Sequence, residues 1–513
     1  MNNDEYTPLL RADASNTSRS ARESQLPPIS PTVRRVGTLE PEQIHLENLV
    51  NHDGLNFQDH PTEVAFALTI LLHLRKTRTK ASVADDLYEH WLVRENHTRS
   101  REVLEEQISE IWASFLTEYR NIHDIETVLW SRFPLDEGGA RAYRVADFLA
   151  DCDAPPGLIS HPVVTSSLEH AWNRGVSSQY PASPTSSWLL RYDTLATPRV
   201  THLIEWTFHL IFLALLVHYV LYPVKPPHTT NGWLQYQYGA REAFLVLLPL
   251  SFAPRSRSLA NVSSLLVSFA FVASLPCMPH PGTFPFALMQ WAVILHPFGL
   301  HLPEVPSHLF LLQRSSSLPL AILVKQAVFG VVGPVLLFFL PLLLLATYSL
   351  SLALVDTFLS LSSTAASSVT VTVPPIETRF TFLSFLFIVN ILLFTSIFVL
   401  AATNSLPRPS SEAWDRYSEG IGHSARRALA RATASYVDPY TFPPPFNLLH
   451  IVLVSVPRAV ARYFGFQIPG MELVDRMLWR ATVGPFTAFV SLLFWRPARS
   501  RPRTSRSESA LAS

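Results

Sequence analysis

The sequence predicts an all-α membrane protein: an N-terminal cytosolic helical domain, a six-span helical bundle arranged like an ion channel, and C-terminal membrane-associated helices. Three observations lead there. Charged residues make up 16% of the 513-residue chain and hydrophobic ones 48%, whereas soluble proteins carry about 25% charge. The charge is concentrated in the first part of the chain, and long stretches from Leu203 onward carry none. Apolar runs close to the roughly 20 residues that a helix needs to cross a bilayer recur through the second half. Other classes are excluded on similar grounds. The formal net charge is +0, so no basic field points to nucleic acid. Cys152 and Cys277 lie far apart and make neither a disulfide framework nor a CxxC metal pair. No P-loop, HExxH or nucleophile–base pair is present, so no enzyme, cofactor or metal is expected.

Residues 1–58 are rich in Ser, Thr, Pro and Arg, the composition of a disordered cytosolic tail. No basic region is followed by an apolar core there, so membrane insertion is expected to use an internal span. The tail begins with DEYTPLL, in which Glu5 is followed by three residues and then by Leu9 and Leu10. That is the acidic dileucine pattern read by adaptor-type sorting complexes. Residues 59–176 read as a cytosolic helical domain. The apolar run 65–74 is too short to cross a bilayer and reads as a buried soluble helix. In SREVLEEQISEIWASFLTEYRN, residues Leu104, Ile108, Trp112, Phe115 and Tyr119 recur at three and four, one face of a helix. RAYRVADFLADC and HPVVTSSLEHAWNRG read as further helices, and residues 177–199 as a linker.

Spans one to four fall within 200–302, at 203–222, 238–252, 259–277 and 284–302. Residues 303–402 hold a linker helix, span five (331–355), a pore-type loop and span six (380–402). Lys and Arg accumulate on the cytosolic side of short loops. Arg255 and Arg257 follow span two, Arg314 and Lys325 follow span four, and Arg416, Arg426, Arg427 and Arg431 follow span six. The alternate loops are poorer in cations, which puts both termini in the cytosol. Residues 403–495 form a cytosolic linker and membrane-associated helices. Two short apolar stretches there, 446–456 and 482–495, read as interfacial or re-entrant, and crossing by both would leave the same topology. The tail 496–513 is basic and serine-rich; it either touches anionic lipid, a contact that phosphorylation weakens, or is simply solvated. Arg255, Arg257, Arg426 and Arg427 either bind lipid headgroups or serve topology and solubility.

The stretches FLFIVNILLFTSIFVLAATNSL, SYVDPYTFPPPFNLLHIVLVSVPRAV and RMLWRATVGPFTAFVSLLFW resemble, in order, the end of the fungal vacuolar TRP-type (Yvc-like) calcium-permeable channels. The matching residues run from Asn390 to Leu393 in span six. An aromatic-Pro-Pro-x-Asn-Leu turn follows, made by Phe442, Pro444, Pro445, Asn447 and Leu448, with Pro443 as an extra residue. The helix SSLEHAWNRG before span one is also similar. The resemblance implies a homotetramer in the vacuolar membrane that passes cations, including calcium, toward the cytosol. Asn390, Thr395, Asp356 and Glu377 are its candidate pore-lining residues. A polar amide within an apolar span faces protein or water rather than lipid; Asn390 either rings a conduction path or makes an interhelical hydrogen bond.

The chain departs from the family pattern in three places. The loop between spans five and six has no glycine, and its acids, Asp356 and Glu377, sit at its ends. Span four carries no regularly spaced Arg or Lys, which argues against a voltage sensor. The C-terminal tail is basic where the family carries an acidic cluster. His280, in the predicted lumenal loop MPHPGT, would be protonated in an acidic compartment, either tuning gating or doing nothing. The sequons at Asn16, Asn96 and Asn261 are expected to carry no glycan. The sequence therefore predicts a subunit of a vacuolar-membrane, non-selective, calcium-permeable cation channel. The alternative is a non-conducting membrane scaffold or regulatory subunit. An unrelated transporter ranks third, for want of an inverted repeat.

Overall fold

A computed structural model describes residues 26–37, 39, 44, 49, 57, 59–78, 87–136, 142–176, 192–224, 239–253, 261–275, 278–302, 307–308, 311, 314–334, 337, 413–438, 440–466 and 470–493. These residues are all-α apart from one antiparallel pair, β1 (Phe133–Pro134) and β2 (Ala142–Tyr143), in which Phe133 faces Tyr143. Glu5, Leu9, Leu10, Arg255, Arg257, Asp356, Glu377, Asn390 and Thr395 lie outside the described residues, as do span six and most of span five.

The head is built from α1 (Ile29–Val36), α2 (His60–Arg78), α3 (Leu87–Glu118), α4 (Ile122–Trp130), α5 (Val145–Leu149), α6 (Pro156–Ile159) and α7 (Pro162–Arg174). Helix α2 is its axis. Phe66, Leu68, Ile70 and Leu71 are fully buried, because the apolar run 65–74 in the middle of α2 is hydrophobic on all sides and must be surrounded by other helices. On α3, Leu104, Ile108, Trp112 and Phe115 are buried on the face that the periodicity predicts. Proline opens α7 in its first turn, and Gly175, at φ 76°, closes it in the left-handed region.

Three expectations need correction here. The tail 1–58 contains α1, whose Ile29 and Val36 are fully buried against α2; seven residues apart, they fall on one helix face. In RAYRVADFLADC the first residues form β2, and helix occupies only Val145–Leu149. The boundary at 403 also misses the packing of the later helices. Helices α12 (Arg314–Ala327) and α13 (Glu419–Tyr436) both insert into the core of the head, through Leu318, Ile322 and Leu323 from the first and Ile421, Ala425 and Leu429 from the second. The two lie against each other. Wider π-type winding continues α12 over Val328–Val332.

Predicted spans one to four appear as α8 (Pro198–Leu221), α9 (Ala240–Phe252), α10 (Val262–Ala273) and α11 (Phe284–Leu300). Thr197 caps α8, accepting from the Val200 amide ahead of a first-turn proline. Each helix packs on the next, and α11 returns to α8, closing a four-helix bundle. Phe212, Leu216, Leu245, Leu248, Val267, Ala270, Met289 and Ala292 fill its interior. Its outside is apolar as well: Phe244, Leu247, Leu265, Phe269, Trp291 and Ile294 are all exposed. Among the described residues only α8 combines the length and apolarity needed to cross a membrane, with α10 and α11 shorter apolar helices. After α13 the chain forms α14 (Phe446–His450), a π-type turn over Ile451–Ser455, α15 (Val456–Tyr463) and α16 (Met471–Leu493).

Candidate functional site

The head, the bundle and the C-terminal helices meet at the start of α8. Trp172, near the end of α7, packs with its ring centroid 5.4 Å from His202 of α8 and 6.1 Å from Tyr436, the last residue of α13. The Tyr436 hydroxyl donates to Oε2 of Glu205 at 3.0 Å, with both side chains buried. Four residues from three helices, two of them from α8, thus meet at one place. Deeper in the bundle, Nδ1 of His209 lies 3.3 Å from Nε2 of His296, whose Nδ1 is 2.9 Å from the Ser263 hydroxyl. Phe252 stacks on His209 at 4.2 Å and shields it from one side.

A second contact ties the linker before α8 to α16. Asp193 is almost wholly buried and accepts from Arg480 at Nε (3.0 Å) and Nη2 (2.6 Å), a two-point pairing of planar groups. The Tyr440 hydroxyl donates to the same carboxylate at 3.1 Å, and burial followed by the charge of Asp193 raises the Tyr440 pKa above its ordinary value. Trp479 donates to the Thr441 carbonyl at 3.1 Å. Gly484 lets α16 approach Tyr192, whose ring would collide with a side chain there. Tyr440 itself sits at φ 61°, the left-handed region that a tyrosine rarely occupies.

The turn residues picked out by the family resemblance are brought to this junction. Phe442 is buried against Trp479 and Val483 and stacks on His450 at 4.5 Å. The Pro444–Pro445 bond is cis. Asn447 donates to the Ser251 carbonyl near the end of α9. Leu448 follows it in α14. Between Pro445 and Asn447, Phe446 joins Phe208 of α8 and Phe486 of α16 in a three-ring cluster, with centroids 5.1–6.5 Å apart. The turn therefore pins α14 to the end of the bundle nearest the head.

The two arginines of α13 proposed for lipid headgroups are turned to other work. Arg426 is fully buried and holds Asp415 through two 2.8 Å hydrogen bonds, which removes it from any headgroup. Arg427 donates to the Cys152 carbonyl at 2.7 Å, and Arg431 to the Ala150 carbonyl at 2.9 Å. These carbonyls follow the end of α5, where cations are favoured. Asn261 is buried, its amide donating to the Phe252 carbonyl, so it is closed to glycosylation. His280 contacts the Met278 carbonyl through Nδ1 at 3.1 Å.

Sequence reasoning missed the residues that form the junction. Glu205, His209 and His296 were legible as ionisable groups inside apolar runs, which is a signal of function in itself; their pairing was not, because it depends on how the bundle closes. Asp193 and Arg480 are too far apart in the chain for either to announce the other. Among the described residues no group of three or more His, Cys, Asp or Glu side chains converges to hold a metal ion. Neither a protein-family model nor a curated protein matches the chain.

Proposed function

We propose that the chain is a subunit of a homotetrameric, TRP-like cation channel of the vacuolar membrane, non-selective and calcium-permeable, releasing cations toward the cytosol. The observation that carries this reading is how the chain leaves and rejoins the head. Helix α12 leads toward predicted spans five and six, α13 follows them, and the two pack together on one soluble core. A pore segment would hang from the head by both of its ends. The membrane part of the reading is supported by a bundle as apolar outside as within, a pattern suited to lipid. It is also supported by Leu449, Val452, Val456, Val460 and Tyr463, exposed apolar residues three or four apart along α14, the π-type turn after it and α15, which suit a segment lying at headgroup level. In the tetramer, Asn390 of each chain would face the conduction path.

Patch recording of isolated vacuoles bearing the chain tests this. A calcium-permeable current under stretch is expected, and Asn390→Leu should change its unitary conductance or open probability several-fold. A tetrameric protein present without current would sink the channel reading. That result would instead favour the second reading, a non-conducting scaffold or regulatory subunit. This rests on the loop without glycine, whose acids Asp356 and Glu377 stand at its ends rather than at a constriction.

A further inference from the structure

The polar groups inside the bundle form a line. Ser263 contacts His296, His296 contacts His209, Nε2 of His209 lies 4.0 Å from Oε1 of Glu205, and the other oxygen of Glu205 receives the Tyr436 hydroxyl. All five side chains are buried. The line ends inward at apolar packing, with the Phe212 ring centroid 4.8 Å from that of His296 and Leu216 beyond. It ends outward at α13 of the head. The groups are strung out rather than gathered around one point, which suits a proton and not a metal ion.

We propose that Glu205, His209 and His296 form a single proton-binding site whose occupancy sets the strength of the contact between head and bundle. The hydrogen-bond bookkeeping defines both states. With both imidazoles neutral, the Ser263 hydroxyl donates to Nδ1 of His296, Nε2–H of His296 donates to Nδ1 of His209, and Nε2–H of His209 points to Glu205. Every donor, Tyr436 included, then runs toward one carboxylate. One added proton makes His209 an imidazolium that keeps Nε2–H toward Glu205 and gains Nδ1–H. His296 must then accept at Nε2, so its own proton moves to Nδ1 and is donated to the Ser263 oxygen. Two ring protons become three, and each nitrogen of the line still has its partner. A hydroxyl at the far end is what allows this reversal, because it can donate in one state and accept in the other. Protonation places a cation beside Glu205 and weakens the charge-assisted bond that the carboxylate accepts from Tyr436.

The surroundings leave these groups in command. Helix α9 contributes Ser251 and Phe252, while its charged pair Arg241 and Glu242 lies at the opposite end. The polar residues buried at the start of α10, Asn261 just before it and Ser263 and Ser264 within it, are uncharged. On α8, His202 is the next ionisable group, packed between Trp172 and Tyr436. On α13, Arg426 and Arg427 are engaged by Asp415 and the Cys152 carbonyl. On α16, Arg480 is held by Asp193.

The full-length chain in phospholipid nanodiscs provides the test, which requires no current and so stands apart from the channel reading. Hydrogen exchange at the end of α13, corrected for intrinsic rates, is followed between about pH 8 and about pH 5 alongside the imidazolium infrared band. Wild type should lose about fivefold protection around Tyr436 as the band grows, because the Glu205 carboxylate then shares its charge with the His209 imidazolium and holds the Tyr436 hydroxyl less strongly. In His209→Gln and in His296→Gln the protection step should vanish and the band should grow by less than in wild type, the remaining growth coming from the other histidines of the chain. An undiminished protection step in either variant overturns the proposal. Tyr436→Phe, which leaves the histidines in place, should keep the band and lose the protection step; a step that survives there overturns it as well.

Discussion

His308 shows how much one side chain can govern. It is buried between α11 and α12, with Nε2 donating to the His301 carbonyl at 2.7 Å, and burial pushes its pKa down to about 4. In the unfolded chain the imidazole titrates near its ordinary value of 6.5. The neutral form is the one the fold accepts, so this stability is fully present above the unfolded pKa. It is lost as the pH falls toward the folded one, by a total on the order of 3 kcal/mol. Wild type should therefore show a falling melting temperature between about pH 6.5 and about pH 4. His308→Gln retains a donor without the titration and should flatten that slope; equal slopes for the two proteins would refute the assignment. Asp193 acts by charge instead. It is buried, doubly bonded to Arg480, and reached by Tyr440, so its worth lies in keeping those partners satisfied.

Among the elements, α13 is placed by a close approach. Gly422 lies against the Trp414 carbonyl and the Asp415 carboxylate, and any side chain there would overlap the carboxylate that Arg426 holds. Gly422→Ala should break that buried pair, leaving Arg426 without its carboxylate at a cost of about 3–5 kcal/mol. The head should then melt at lower temperature, which thermal denaturation followed by circular dichroism would register; an unchanged midpoint would count against this account. The elements also show what a sequence can and cannot disclose. The face of α3, the helix in HPVVTSSLEHAWNRG and the helices at the four predicted spans were all legible, because each depends on local spacing. Helix α1 was not, since Ile29 and Val36 mean little until α2 lies beneath them. The role of α13 was hidden likewise: Arg426 and Arg427 read either as headgroup ligands or as serving topology and solubility, and neither reading foresaw Asp415 or the end of α5. The junction at Tyr436 and Glu205 joins residues far apart in the chain, and no periodicity records such a meeting.

At the scale of the whole molecule, two soluble-type cores and an apolar bundle share a single seam. The head closes over α12 and α13, the small core of Phe442, Trp479 and Val483 closes over the linker, and both meet α8. The sorting role that the sequence suggests for Glu5, Leu9 and Leu10 is tested at this scale too. If Glu5, Leu9 and Leu10 direct sorting, Leu9→Ala with Leu10→Ala should move most of a fluorescently tagged chain away from the vacuolar membrane, and unchanged localisation by microscopy would end that reading. The packing of α12 on α13 carries a mechanical consequence for everything between them. Because both are rooted in one core, tilting or lifting the head displaces the two ends of the intervening segment together, as one hand moves both ends of a folded rope. Such a motion leaves the distance between α12 and α13 unchanged. To part α12 from α13 would open the core that both share, to which Leu318, Ile322, Ile421 and Ala425 belong.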